Sequence, residues 1–151
     1  MALVVGVDCS TQATKALVVD TETGRTVASG RATHTVTGTD GARETHPTVW
    51  WDALAEALEQ TGRAGEVAAI AIGGQQHGLV VSDASDEPLR ASMLWNDTRS
   101  APQAEELTAA LGGPEAWAAG PGSVPVAAYT VTKWAWLLPL PPHRCGCRTT
   151  G

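Results

Sequence analysis

Apolar residues arrive in short blocks separated by small polar stretches, and the spacing inside the blocks changes along the chain. Leu3–Val7 is a brief run rich in β-branched residues and reads as a buried strand. Asp8–Thr14 is small and polar, hence a turn, and Lys15–Asp20 returns to Ala-Leu-Val-Val as a second strand. Thr23-Gly24 marks a hairpin end, after which Thr26–Val36 alternates as a third strand. Strands this closely spaced pair antiparallel through tight connections. The period then changes: beyond Pro47, residues Trp50, Trp51, Leu54, Ala55 and Leu58 share one helical face, while Asp52, Glu56 and Glu59 take the other. Proline in the first turn costs no hydrogen bond, and Gly62 closes the helix. Val67–Ile72 is predicted as another buried strand. Leu79–Val81 and Ala91–Leu94 read as strands flanking a turn at Asp83–Pro88. Ser100–Leu111 predicts a helix opened by a Ser-x-x-Gln capping box, with Ala101, Ala104, Leu107 and Leu111 inward. Gly112-Gly-Pro114 stops it, a Gly/Pro-rich loop follows at Gly120–Pro125, and a short helix is expected near Thr130–Leu137.

Composition narrows the class. The chain has 151 residues, 43% of them apolar, so it can build a core and is not expected to be disordered. No apolar run approaches the roughly 20 residues that span a bilayer, which predicts a cytoplasmic protein with no membrane partner. A net charge of −6 leaves no basic stripe for nucleic acid. The three cysteines, Cys9, Cys145 and Cys147, form neither a disulfide framework nor a four-ligand zinc set.

Three segments have residue types suited to chemistry. In Asp8-Cys9-Ser10-Thr11-Gln12 with Lys15, small hydroxylated residues let backbone N–H groups approach phosphate oxygens, and the carboxylate suits Mg²⁺ directly or through water. Such a turn more often only satisfies its own backbone. Gly73-Gly74-Gln75-Gln76-His77-Gly78 follows a strand, where α/β ligand sites lie, and Gln and His both donate to and accept from hydroxyls. On local evidence a polar turn with a solvated histidine accounts for it somewhat better. Trp95-Asn96-Asp97-Thr98-Arg99 offers a charge-assisted pair that fixes the loop and an apolar wall for a sugar's C–H face, or simply a helix-capping loop.

Taken together and in this order, these segments resemble the N-terminal half-domain of the FGGY carbohydrate kinases, of the xylulokinase type. The resemblance runs from Leu3 to about Leu137. It rests on Val5–Gln12 with Lys15, Pro47 through Trp50-Trp51, Gly74–Gly78, Leu94–Arg99, and Thr130–Lys133 followed by Trp136. It implies an α/β, ribonuclease-H-like fold of the actin/hexokinase ATPase type, here as an incomplete half-domain with a mixed sheet and flanking helices. It implies ATP with Mg²⁺ as cofactors and in-line transfer of the γ-phosphoryl group to D-xylulose. Asp8 would handle the metal and the transferring phosphoryl group, and Ser10, Thr11, Gln12 and Lys15 would line the phosphate loop. Gln76 and His77 would bind ketose hydroxyls, and Trp95, Asp97 and Arg99 would support the sugar pocket. Asp8 and His77 would face a common cavity. Ser10 stands where many relatives have Gly, and Gln76 where some have Met. The general base and the C-terminal nucleotide-binding domain would lie beyond this chain, so the isolated polypeptide is expected to be inactive. Oligomeric state is not readable.

Residues 138–151 leave the pattern: they are rich in Pro, Arg and Cys. Back-translating Cys145–Gly151 and reading the earlier frame gives Val-Arg-Leu-Pro-His-Asp-Trp, similar to a segment that xylulokinases carry downstream. A frameshifted tail is therefore expected. Rival functions are a kinase for another sugar or polyol of the family, and a noncatalytic sugar-binding remnant that retains Gln76, His77 and Asp97.

Overall fold

β1 (Leu3–Cys9) buries Leu3, Val5 and Val7 while Gly6 and Asp8 point out, the period-two pattern of a strand with one covered face. The computed structural model describes residues 2–138. β2 (Ala13–Asp20) and β3 (Thr26–Thr33) follow, each antiparallel to the strand before it, as the hairpin signals predict. After a two-residue strand β4 (Glu44–Thr45) comes helix α1 (Pro47–Gln60), with proline in its first turn. Gly62, at φ +63°, ends it in the left-handed region that glycine enters without cost. A 3-10 turn at Ala64–Glu66 leads into β5 (Val67–Gly74), which runs parallel to β1. The main sheet is four-stranded in the order β3-β2-β1-β5. β6 (Ser92–Met93) is short, and helices α2 (Ala101–Ala110), α3 (Pro114–Ala119) and α4 (Thr130–Leu137) complete the chain. The mixed sheet with flanking helices is the architecture expected from the sequence.

The described residues divide into two compact units. The first takes residues up to Gly38, Glu44–Gln76 and Val80–Ser92; the second takes Thr39–Arg43, His77–Leu79 and the chain from Met93 onward. In the first, α1 lies on β3 and β2 with a smaller footing on β1. Ala53 and Ala57 of α1 close over Leu3, Val5, Val7, Ala16, Val18 and Ala32. The helix buries its alanines rather than the predicted Trp51, which is 71% exposed. The reason is at Gly30 of β3, where a Cβ would sit 1.9 Å from the Ala57 carbonyl oxygen, so only small residues fit at this crossing.

β5 departs from expectation. It was predicted buried, yet nearly every residue in it is exposed, with Ile70 at 49% and Ile72 at 57%. By register these two face the same side as Val5 and Val7, but α1 ends its cover before reaching them. An apolar run signals a strand without saying what covers it. Leu79–Val81, predicted as a strand, makes an isolated bridge from Leu79 to Met93 instead, and α3 forms between the two Gly/Pro-rich stretches, where no element was predicted.

In the second unit, Met93, Leu94 and Ala104 are buried together with the polar Asp97, Ser100, Thr132 and Lys133. Ala101 and Leu111, predicted inward on α2, are exposed. Trp117 of α3 donates its Nε1–H to Leu107 O of α2 at 2.9 Å. The predicted capping box does not form: Ser100 is the N-cap residue but makes no cap bond, and its hydroxyl donates instead to Ala127 O at 3.1 Å. A tertiary acceptor has taken the hydroxyl that the local motif requires. The predicted tail, 138–151, lies outside the described residues from Pro139 onward.

Candidate active site

The first unit builds its polar end from the carboxyl ends of two parallel neighbours. β1 and β5 run in register there, with Asp8 beside Gly73 and Cys9 beside Gly74. The loops leaving these strands, Ser10–Gln12 and Gln75–Gln76, are therefore neighbours too. Gln75 ties them: its Nε2 donates to Ser10 O at 3.3 Å, and its Oε1 accepts from Thr11 Oγ1 at 3.3 Å. The hairpin loop is also closed on itself, Ser10 donating both its N–H and its hydroxyl to Ala13 O at 3.0 Å. Gln12 contributes its carbonyl, which accepts from His34 N at 2.8 Å. The His34 imidazole pairs with Thr14 Oγ1 at 2.8 Å, and burial pushes its pKa down.

Asp8 points away from this packing. Its Oδ2 accepts from Lys15 Nζ at 3.2 Å across the β1–β2 ladder, and its side chain is 61% exposed. An exposed carboxylate, an adjacent ammonium and a loop of small hydroxylated residues are the donor set that a Mg²⁺–phosphate group requires: a hard oxygen for the ion, cationic and hydroxyl donors for phosphate oxygens. Gln76, which ends the Glu44–Gln76 segment of this unit, is exposed.

In the second unit His77 has φ +61°, a backbone conformation uncommon outside glycine, and its exposed ring stacks on Tyr129 with centroids 4.6 Å apart and planes at 24°. Asp97 is fully buried. It accepts from Arg99 Nη2 at 2.7 Å, Arg99 Nε at 3.0 Å, Arg99 N at 3.1 Å and Arg43 N at 2.9 Å. The Arg99 guanidinium lies 4.7 Å from the centre of the Trp136 ring. The pair thus binds loop 41–43 and α4 to the head of α2, the loop-fixing role foreseen for it. Trp95 keeps 47% of its surface exposed.

The structure therefore joins Asp8 to Lys15, the Ser10–Thr11 loop to Gln75, Asp97 to Arg99, and His77 to Tyr129. Sequence reasoning missed Gln75, Tyr129 and the buried Lys133. Gln75 and Lys133 stood inside motifs already singled out, but spacing does not say which of two adjacent glutamines turns toward the neighbouring loop.

Residues 3–145 match the FGGY family of carbohydrate kinases, N-terminal domain. The chain belongs to this family. Among curated FGGY-type relatives, the xylulose kinase of Streptomyces coelicolor is 65% identical over 136 residues, 89% of this chain and 28% of that protein. The crystal structure of xylulose kinase from Bifidobacterium adolescentis superposes with a TM-score of 0.80 at 46% identity, over 90% of this chain and 29% of that one. Gluconate kinase from Lactobacillus acidophilus gives a TM-score of 0.81 at 26% identity, over 90% and 28%. The chain spans less than a third of the length of these relatives. The FGGY fold is that of the actin/hexokinase-like ATPases, as the motifs implied. No helix among the described residues is long and apolar enough to cross a membrane.

Proposed function

We propose that this chain is the N-terminal part of a cytoplasmic, ATP- and Mg²⁺-dependent D-xylulose kinase. Asp8 holds the metal, with Ser10, Thr11, Gln12 and Lys15 at the phosphate oxygens. Mg²⁺, when bound, neutralises charge on the phosphate groups. Gln76 and His77 take the ketose hydroxyls by donating and accepting hydrogen bonds, Trp95 faces a C–H surface of the sugar, and Asp97 with Arg99 keeps that loop in shape. Phosphoryl transfer needs little covalent chemistry from the protein, so positioning and charge are the contributions asked of these residues.

The observation that supports the reading most is Gln75 linking the Ser10–Thr11 loop to the strand end beside Asp8. It holds the loop carrying the candidate phosphate ligands to the segment carrying the candidate sugar ligand Gln76. The 65% identity to a xylulose kinase supports the choice of sugar. Likeness to a gluconate kinase of equal closeness in fold favours, as a second reading, another sugar of the same class.

A chimera tests this. Residues 3–137 of this chain are grafted in place of the corresponding segment of the Streptomyces coelicolor xylulose kinase, and ADP release is followed with D-xylulose and D-gluconate. The expected outcome is xylulose-dependent turnover that falls about 100-fold or more in the D8A chimera, as when an electrostatic group of the transition state is removed. The 151-residue chain alone is expected to show no turnover, since it spans less than a third of the length of the kinases it resembles. Undiminished turnover in the D8A chimera would sink the assignment of Asp8, and turnover on gluconate alone would transfer the reading to that sugar.

A further inference from the structure

Lys133 is the largest fully buried side chain in the described residues, and it carries a charge. The first turn of α4 is built around it. Thr132 Oγ1 donates within a nest of carbonyls, 2.8 Å from Tyr129 O, 3.1 Å from Val126 O and 3.3 Å from Ala127 O. Ser100 Oγ reaches the same Ala127 O, and Lys133 Nζ donates to Ala127 O at 2.9 Å and again to Ala128 O. Burying an ammonium costs free energy that a methionine of similar length would avoid, so packing alone does not account for a lysine here. What the ammonium adds is direction. It gathers two successive carbonyls and so fixes the peptide that presents Tyr129.

Tyr129 is where that order is delivered. Its hydroxyl pairs with Ser123 Oγ at 2.7 Å, and its ring backs the His77 imidazole. His77 is exposed and sits on a left-handed residue, so the stacked ring is the main surface that sets its direction.

We propose that Lys133 is the positioning residue of the His77 site: by gathering the Ala127 and Ala128 carbonyls it fixes Tyr129 as the plate that orients the imidazole toward a sugar hydroxyl. The sugar half of this statement rests on the role given to His77 above. An imidazole already held in one direction loses less freedom when a hydroxyl binds, which strengthens binding without a new contact.

The test compares the isotope-labelled 151-residue chain with its K133M and Y129L variants by NMR. In the wild type, the Tyr129 and His77 rings show mutual NOEs, and the His77 ring protons are shifted upfield by the facing aromatic. Y129L returns those protons to the unstacked position. K133M does the same and loses the NOEs, while amide shifts in β1–β3 stay where they were. K133R, which keeps the cation, restores part of the shift. A K133M chain with NOEs and ring shifts intact overturns the proposal. Should K133M fail to fold, T132V, which removes the hydroxyl sharing the same carbonyls, carries the comparison with the same two outcomes. D-xylulose is then titrated into each chain. The shift at His77 requires about three- to tenfold more sugar in Y129L and K133M, the range expected for one aromatic contact. A His77 resonance unmoved by D-xylulose in a wild type that still shows the Lys133-dependent stack retains the positioning and overturns the sugar role of His77.

Discussion

Asp97 and Lys133 are two buried charges whose pKa values both move down, for opposite reasons. Burial by itself would raise the Asp97 pKa, but hydrogen bonds from Arg99 and Arg43 and the charge of Arg99 outweigh it, leaving the carboxyl below its ordinary 3.8. A carboxyl depressed in the folded state stabilises above its unfolded pKa, and that contribution is lost as pH falls through the folded value. Breaking the pair is therefore expected to be severe: D97N should cost about 3–5 kcal/mol in urea unfolding at neutral pH, with the loss shrinking below pH ~4. Lys133 is pushed down to about 8 from 10.5, chiefly by burial, with the Asp97 charge opposing. Between those values the unfolded chain holds a proton that the folded chain has released. Stability from this group therefore rises as pH climbs from about 8 toward 10.5, and below about 8 the cost of burying the cation is fully present. Urea titrations over that range should show the wild type gaining on K133M, and no such gain would mean that Lys133 is not desolvated.

At the scale of elements, α1 and β5 each carry a consequence of where the sheet is covered. The α1–β3 crossing leaves no room for a side chain at Gly30, so G30A should cost about 3 kcal/mol, the upper end for overpacking, seen as a lowered Tm. Threonine or valine at Gly6, where an added Cβ meets nothing within 4 Å, should leave the same transition nearly unchanged. β5 is the edge of the described sheet. Its sequence Val-Ala-Ala-Ile-Ala-Ile-Gly-Gly contains no charge or proline to discourage pairing with another strand. Beside it, Ile72 joins Cys9, Pro47, Trp50, Trp51 and Leu54 around an apolar hollow of about 280 Å³. The chain should self-associate as concentration rises, and I72K should suppress this in sedimentation velocity while changing stability by no more than about 0.5 kcal/mol. Equal association of both chains would show that this edge is not the contact.

For the molecule as a whole, the family and the polar loops were legible in the chain itself. The β1–β2–β3 meander follows from short apolar runs and turn residues a few positions apart, because local pairing leaves little choice of partner. The boundaries of α1 follow from Pro47 and Gly62 for the same reason. Covering is not local. Whether Ile72 is buried depends on an element far away in sequence, and whether Ser100 caps α2 depends on a carbonyl at Ala127. The sequence by itself determined the family, the β1–β2–β3 meander and the ends of α1. Only the tertiary structure decided that Gln75 rather than its neighbour ties the loops, that alanine rather than tryptophan faces the sheet, and that Lys133 is a buried clamp. Chain pattern records what each residue prefers, but a hydrogen-bond partner or a packing surface is chosen among distant candidates, and that choice exists only once the chain has closed on itself.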